Sequence, residues 1–83
     1  MPKIRVMLAD DQAMLVAALS TILNAQEDIE VVATAASGAE AVSSALRHRI
    51  DVAILDIRMP GMDGIAAAQA ILSRIPDCRI IML

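Results

Sequence analysis

Two acidic spots stand where chemistry is possible. Asp10 and Asp11 close the run from Lys3 to Ala9, and Asp56 closes the run from Asp51 to Leu55. A carboxylate that ends an apolar strand has left the core and stands at the rim of its sheet. In an open parallel sheet the carboxyl ends of the strands share one rim, and ligands bind there. Acids from two distant segments can therefore converge on one point. Packed negative charges repel one another unless a cation sits among them. Hard oxygen donors of this kind suit Mg²⁺. The chemistry this constellation points to is phosphoryl transfer.

The elements that must hold these acids alternate between strand and helix. The first strand is expected from Ile4 to Ala9. The first helix is expected from Gln12 or Ala13 to Asn24, with Asp10 or Asp11 as its N-cap. Leu15, Leu19, Ile22 and Leu23 fall on one stripe of that helix, the expected core face. After the polar loop Gln26-Glu27-Asp28, a second strand runs from about Ile29 to Ala35. Ser37 with Glu40 three residues on reads as a capping box for a second helix, Ala39 to Arg47, with Val42 and Leu46 one turn apart. Arg47, His48 and Arg49 bring positive charge to its C-terminal end, and His48 is expected on the surface. The third strand is Val52 to Leu55. A loop, Arg58-Met59-Pro60-Gly61-Met62-Asp63-Gly64, leads to a third helix, Ile65 to Arg74, with Ile65, Ala68, Ile71 and Leu72 inward and Asp63 as its cap. A fourth strand begins near Arg79 and runs to Leu83. The order is βαβαβαβ, which predicts an α/β fold with parallel strands and right-handed crossovers.

Composition agrees. Eighty-three residues make one small domain, and 58% of them are apolar. Phe, Trp and Tyr are absent, so the core must be aliphatic, as in buried parallel sheets. No apolar stretch reaches the roughly 18 residues of a membrane helix, and no signal peptide is expected ahead of the first strand. The lone Cys78 excludes an internal disulfide and fits a cytoplasmic protein; its expected place is near the start of a strand. The net charge of −3 and the scattered basic residues argue against this segment gripping nucleic acid by itself.

An acidic pair after the first strand, a single Asp after the third, and a Met-Pro-Gly-x-Asp-Gly loop form a specific combination. With Asp10-Asp11 in LADDQ and LDIRMPGMDG from Leu55 to Gly64, the chain resembles the receiver domain of bacterial two-component response regulators. The text from Asp10 to Val42 is similar to the subgroup with a NarL/LuxR-type DNA-binding output domain. The resemblance implies a flavodoxin-like (CheY-like) doubly wound sheet, whose order 2-1-3-4-5 would stop here at 2-1-3-4. It implies that Asp56 is the phospho-acceptor, that Asp11 binds Mg²⁺ directly, that Asp10 helps mainly through water, and that the Arg58 carbonyl is a further metal ligand. A sensor histidine kinase would be the phosphoryl donor. The parent would be a cytoplasmic transcription regulator that reaches DNA through its output domain, and the role would be a signalling acceptor rather than an enzyme. Met59-Pro60 would shape the loop so that the Arg58 carbonyl turns inward. Gly61 and Gly64 would supply backbone conformations that other residues resist, while Met59 and Met62 would pack.

The resemblance covers residues 1–83 as the N-terminal part of a receiver. The family's Ser or Thr after strand four would fall immediately after Leu83. Its Lys at the end of strand five, together with helix four, strand five, helix five and the output domain, would lie beyond it. That expectation leaves the fourth strand as an exposed edge and part of one sheet face uncovered, a liability above about 400 Å². A homo-oligomer formed through that edge or face, without signalling activity, is therefore an alternative reading. A Mg²⁺-dependent aspartyl phosphatase of the haloacid-dehalogenase kind is a remote one, because Asp10-Asp11-Gln12 lacks the second acid at +2.

Overall fold

A computed structural model describes residues 2–83 of the chain. The elements are β1 (Ile4–Ala9), α1 (Ala13–Asn24), β2 (Ile29–Ala35), α2 (Gly38–Arg47), β3 (Val52–Leu55), α3 (Gly64–Arg74) and β4 (Arg79–Met82). The four strands form one sheet in the order β2-β1-β3-β4, and every pairing is parallel. The fold is the expected CheY-like one. Element bounds differ from the sequence reading by a residue at the starts of α2 and α3 and at the end of β4.

Strand alternation sorts side chains onto two faces. Met7 and Ala9 of β1, Ala35 of β2, and Ala53 and Leu55 of β3 are buried in one cluster with Ala41 and Ala45 of α2 and Ala67 and Ile71 of α3. Val6 and Leu8 point the other way and are also buried, on the face where α1 packs against β1 and β2. An irregularity in the β1–β2 ladder leaves Val32 as an extra residue, since Val6 pairs with Val31 and Met7 with Ala33. No helix among the described residues is long and apolar enough to cross a membrane.

The helix faces need correction. In α2 the buried residues are Gly38, Ala41, Ser44 and Ala45, while Leu46 is exposed and Val42 is half-buried. In α3 they are Gly64, Ala67 and Ile71, while Ile65 and Leu72 are exposed. The two helices pack on each other, and small residues, Ala41 and Ala45 of α2 with Gly64 and Ala67 of α3, permit that close approach, while Ile71 reaches into the core cluster. Leu46, Ile65 and Leu72 are displaced to the flanks. In α1 no residue is buried. Leu15 and Ile22 are exposed, and Leu19 and Leu23 are half-buried. The reason is that α1 rests on β1 and β2 while α2 and α3 occupy the opposite face. Among the described residues no second helix flanks it.

The caps also differ in part. Ser37 accepts a hydrogen bond from the Glu40 amide at 3.2 Å, and Asp63 accepts one from the Ala66 amide at 2.8 Å, as expected. Neither Asp10 nor Asp11 caps α1. Its N-cap position is Gln12, which makes no side-chain cap bond. Asp10 instead accepts from the Gln12 amide at 2.8 Å, a local Asx-type turn that holds its carboxylate back over the strand end. His48 is half-buried rather than fully solvated, because its Nδ1 lies 2.9 Å from the Ser44 carbonyl. Cys78 is buried just before β4.

Candidate metal centre

The strand ladders carry the acids to one level. The Asp10 amide donates to the Ala35 carbonyl at 3.0 Å, and the Asp56 amide donates to the Ala9 carbonyl at 2.9 Å. Each bond extends a parallel ladder one residue past its strand. Asp10 and Asp56 therefore leave the sheet side by side, and Asp11 follows on the same rim. One carboxylate oxygen from each of Asp10, Asp11 and Asp56 lies within 4.8 Å of the others. Asp10 is buried, Asp56 half-buried and Asp11 exposed. The trio thus grades from the protein interior to solvent.

Two of the carboxylates are held by backbone. Asp10 is tied to the Gln12 amide, and Asp56 Oδ1 accepts from the Arg58 amide at 3.1 Å. The second bond folds the chain back immediately after β3 and keeps Arg58 near the cluster. Among the described residues the one ion pair is Arg49 with Asp51, at 3.7 Å, at the opposite rim where β3 begins. Among the described residues no cationic side chain forms an ion pair with the trio. Convergent hard oxygens with no internal counter-charge are what a divalent ion such as Mg²⁺ requires, with waters completing about six oxygen ligands. The donor set fits that ion.

The loop that follows Asp56 is braced along its length. Met59 is buried against the α2–α3 core, as expected of a packing residue, whereas Met62 is exposed. Gly61 has φ of 71°, the left-handed region that glycine enters without strain. Gly64 does not share that need. Its constraint is space, because an added Cβ would collide with the Asp56 carbonyl group, and the Gly64 amide donates to the Ile57 carbonyl at 2.9 Å. Gly38 meets the same kind of limit against Met62. The sequence reading missed it. Its signal is the glycine directly after the capping Ser37, at the first position of a helix.

An open groove of about 410 Å³ adjoins the cluster, between α1 and the end of β2, with Asp10, Asp11, Ala17 and Thr34 in its walls. Asp10 and Asp11 thus stand at an open concave surface, with Asp56 beside them.

Comparison with known proteins agrees with this geometry. Residues 6–83 match the response regulator receiver domain family. The chain is 49% identical over 80 residues to the oxygen regulatory protein NreC of Staphylococcus epidermidis, an alignment covering 95% of this chain and 37% of that protein. It therefore spans well under half the length of that relative. The receiver domain of the putative response regulator NarL from Mycobacterium tuberculosis superposes with a TM-score of 0.92 at 35% identity, covering 99% of this chain and 66% of that one. A chain in the CheX–CheY–BeF3–Mg complex from Borrelia burgdorferi superposes with a TM-score of 0.89 at 36% identity, covering 98% and 61%. The shared strand order, the acid pair after β1 and the acid after β3 place this chain in the response regulator receiver domain family, among relatives of the NarL and NreC type.

Proposed function

We propose that Asp56 accepts a phosphoryl group from the phosphohistidine of a sensor histidine kinase, with Asp10, Asp11, Asp56 and the Arg58 carbonyl forming a Mg²⁺ site. The observation that carries this reading is the convergence of three carboxylate oxygens within 4.8 Å, with none of them in an ion pair among the described residues. An Asp56 oxygen attacks phosphorus as the P–N bond of the donor breaks, and the bond's electron pair stays on the imidazole nitrogen. The product is an acyl phosphate on Asp56. Bound Mg²⁺ would supply charge neutralisation between the carboxylate nucleophile and the phosphoryl oxygens. The Arg58 amide, bonded to Asp56 Oδ1, orients the carboxylate so that its other oxygen is free to attack. Asp10, buried and turned by the Gln12 amide, is held at a fixed place beside the Asp56 carboxylate.

The Mg²⁺ and beryllofluoride named with the Borrelia burgdorferi CheY complex support the same chemistry here. The parent protein would be a cytoplasmic transcription regulator that reaches DNA through an output domain, as its resemblance to NreC and NarL suggests. Its receiver would act as a signalling acceptor, not a turnover enzyme. The test is a Mg²⁺ titration followed by exposure to beryllofluoride. Mg²⁺-dependent uptake at Asp56, lost in Asp56→Asn, is expected. Absence of Mg²⁺ binding, or uptake that persists in Asp56→Asn, overturns the assignment.

A second reading rests on a separate observation. β4 is an edge strand, and Ile81 and Leu83 are about half exposed, at 49% and 53%. A second copy of the chain could cover this edge, burying apolar area worth about 25 cal/mol per Å². Sedimentation should then show a dimer that Ile81→Lys dissociates. A monomer across the accessible concentration range refutes it.

A further inference from the structure

We infer that Gly38, the first residue of α2, is a positioning residue for the metal site, acting through the backbone of Met62; the inference rests on the Mg²⁺ reading above. The loop from Asp56 to Gly64 must present the Arg58 carbonyl toward the carboxylates. Most of its braces are its own. The Arg58 amide bonds back to Asp56, the Gly64 amide bonds to Ile57, and Met59 drops into the core. These fix the two ends of the loop and its middle, but its outer arm, Gly61 to Asp63, is exposed. There the neighbouring helix α2 intervenes.

The carbonyl of Met62 lies against the first turn of α2. A Cβ on Gly38 would come within 2.8 Å of the Met62 carbonyl carbon and 2.9 Å of its Cβ, and closer still to its oxygen. Real Cβ atoms do not tolerate such approaches to backbone, and a carbonyl cannot move aside as a flexible side chain can. Gly38 itself has no positive φ, so the requirement for glycine is room and not conformation. The contact is also electrostatically favourable, since a carbonyl oxygen meets the positive end of a helix dipole. α2 cannot retreat to make space, because Ala41 and Ala45 on the same stripe are fully buried against the sheet and α3. Any side chain at position 38 must therefore push the loop. The displaced segment is the one that carries the Arg58 carbonyl and leads out of Asp56.

The test compares Mg²⁺ affinity, by calorimetry, in the chain itself, in Gly38→Ala and in Ala45→Gly. Ala45→Gly weakens the same helix but opens space instead of demanding it. We expect Gly38→Ala to raise the Mg²⁺ dissociation constant at least about fivefold and to shift the Arg58 and Met62 amide resonances of the metal-free protein. Ala45→Gly should stay within about twofold of the original. Unchanged affinity in Gly38→Ala, or equal weakening in both variants, overturns the inference while leaving the metal site standing. Failure of the original chain to bind Mg²⁺ overturns both. Should Gly38→Ala not fold, the original chain still decides by nuclear magnetic resonance. Through the reciprocity of coupled sites, the Gly38 and Met62 amides should respond to Mg²⁺ with one midpoint, while Leu46 at the far end of α2 stays still. A Gly38 resonance indifferent to saturating Mg²⁺ removes the coupling.

Discussion

The amide of Asp56 donates to the carbonyl of Ala9 at 2.9 Å. This bond continues the β1–β3 ladder one step beyond the Ala9–Leu55 pair. It sets the acid of one strand level with the acid of its neighbour, and it converts a coincidence of composition into a site. The carboxylates do not seek each other. Like charges would separate in a flexible chain, and here the sheet register holds them together.

Removing one acid should therefore weaken the metal more than it weakens the fold. Asp11 is exposed and makes no structural hydrogen bond among the described residues. Asp11→Asn is expected to cut Mg²⁺ affinity at least about tenfold, or about 1.4 kcal/mol. With the original chain, Mg²⁺ at about 100 times its dissociation constant should stabilise the fold by about 2.7 kcal/mol, visible as a rise in melting temperature. At the same concentration that rise should fall to about half or less for Asp11→Asn.

The buried face of α3 can be checked by a pair of truncations. Ile71 is fully buried, whereas its neighbour Leu72 is 38% exposed. Ile71→Ala should cost about 2–5 kcal/mol in urea unfolding. Leu72→Ala should cost less than about half of that. Equal losses would contradict the orientation of the helix.

Asp63 links the loop to α3 through its bond to the Ala66 amide. Asp63→Ala should cost about 1 kcal/mol of stability through the lost cap, measured by denaturant titration. Asp63→Asn or Asp63→Ser should recover most of it, because the bond needs an oxygen and not a charge.

Cys78 predicts a pH dependence. Burial pushes its thiol above the ordinary 9.0, against a backbone hydrogen bond from Ala53 that lowers it and a smaller upward push from Asp51. The unfolded chain then loses its thiol proton before the folded one does. The resulting stability is fully present below pH 9 and falls as pH rises through the higher folded value. Unfolding free energy followed from pH 8 upward should decline, and Cys78→Ala should flatten that part of the decline.

Much of this protein is legible in one dimension. Strand positions follow from period-2 aliphatic runs, and the acids that close them are rim residues because a charge cannot continue into the core. Asp10, Asp11 and Asp56 could therefore be assigned to one rim before any coordinate was known, and Asp63 could be read as a cap from its place before a helix. The tertiary structure decided the rest. Leu15, Ile65 and Leu72 are expected inside on hydrophobicity, yet they lie exposed. Periodicity says that a helix has an apolar side but not how closely its neighbours approach. Where helices and loops meet backbone to backbone, as Gly38 meets Met62 and Gly64 meets Asp56, the smallest residues win the interface. That outcome depends on distances between segments far apart in the chain, which no local pattern encodes.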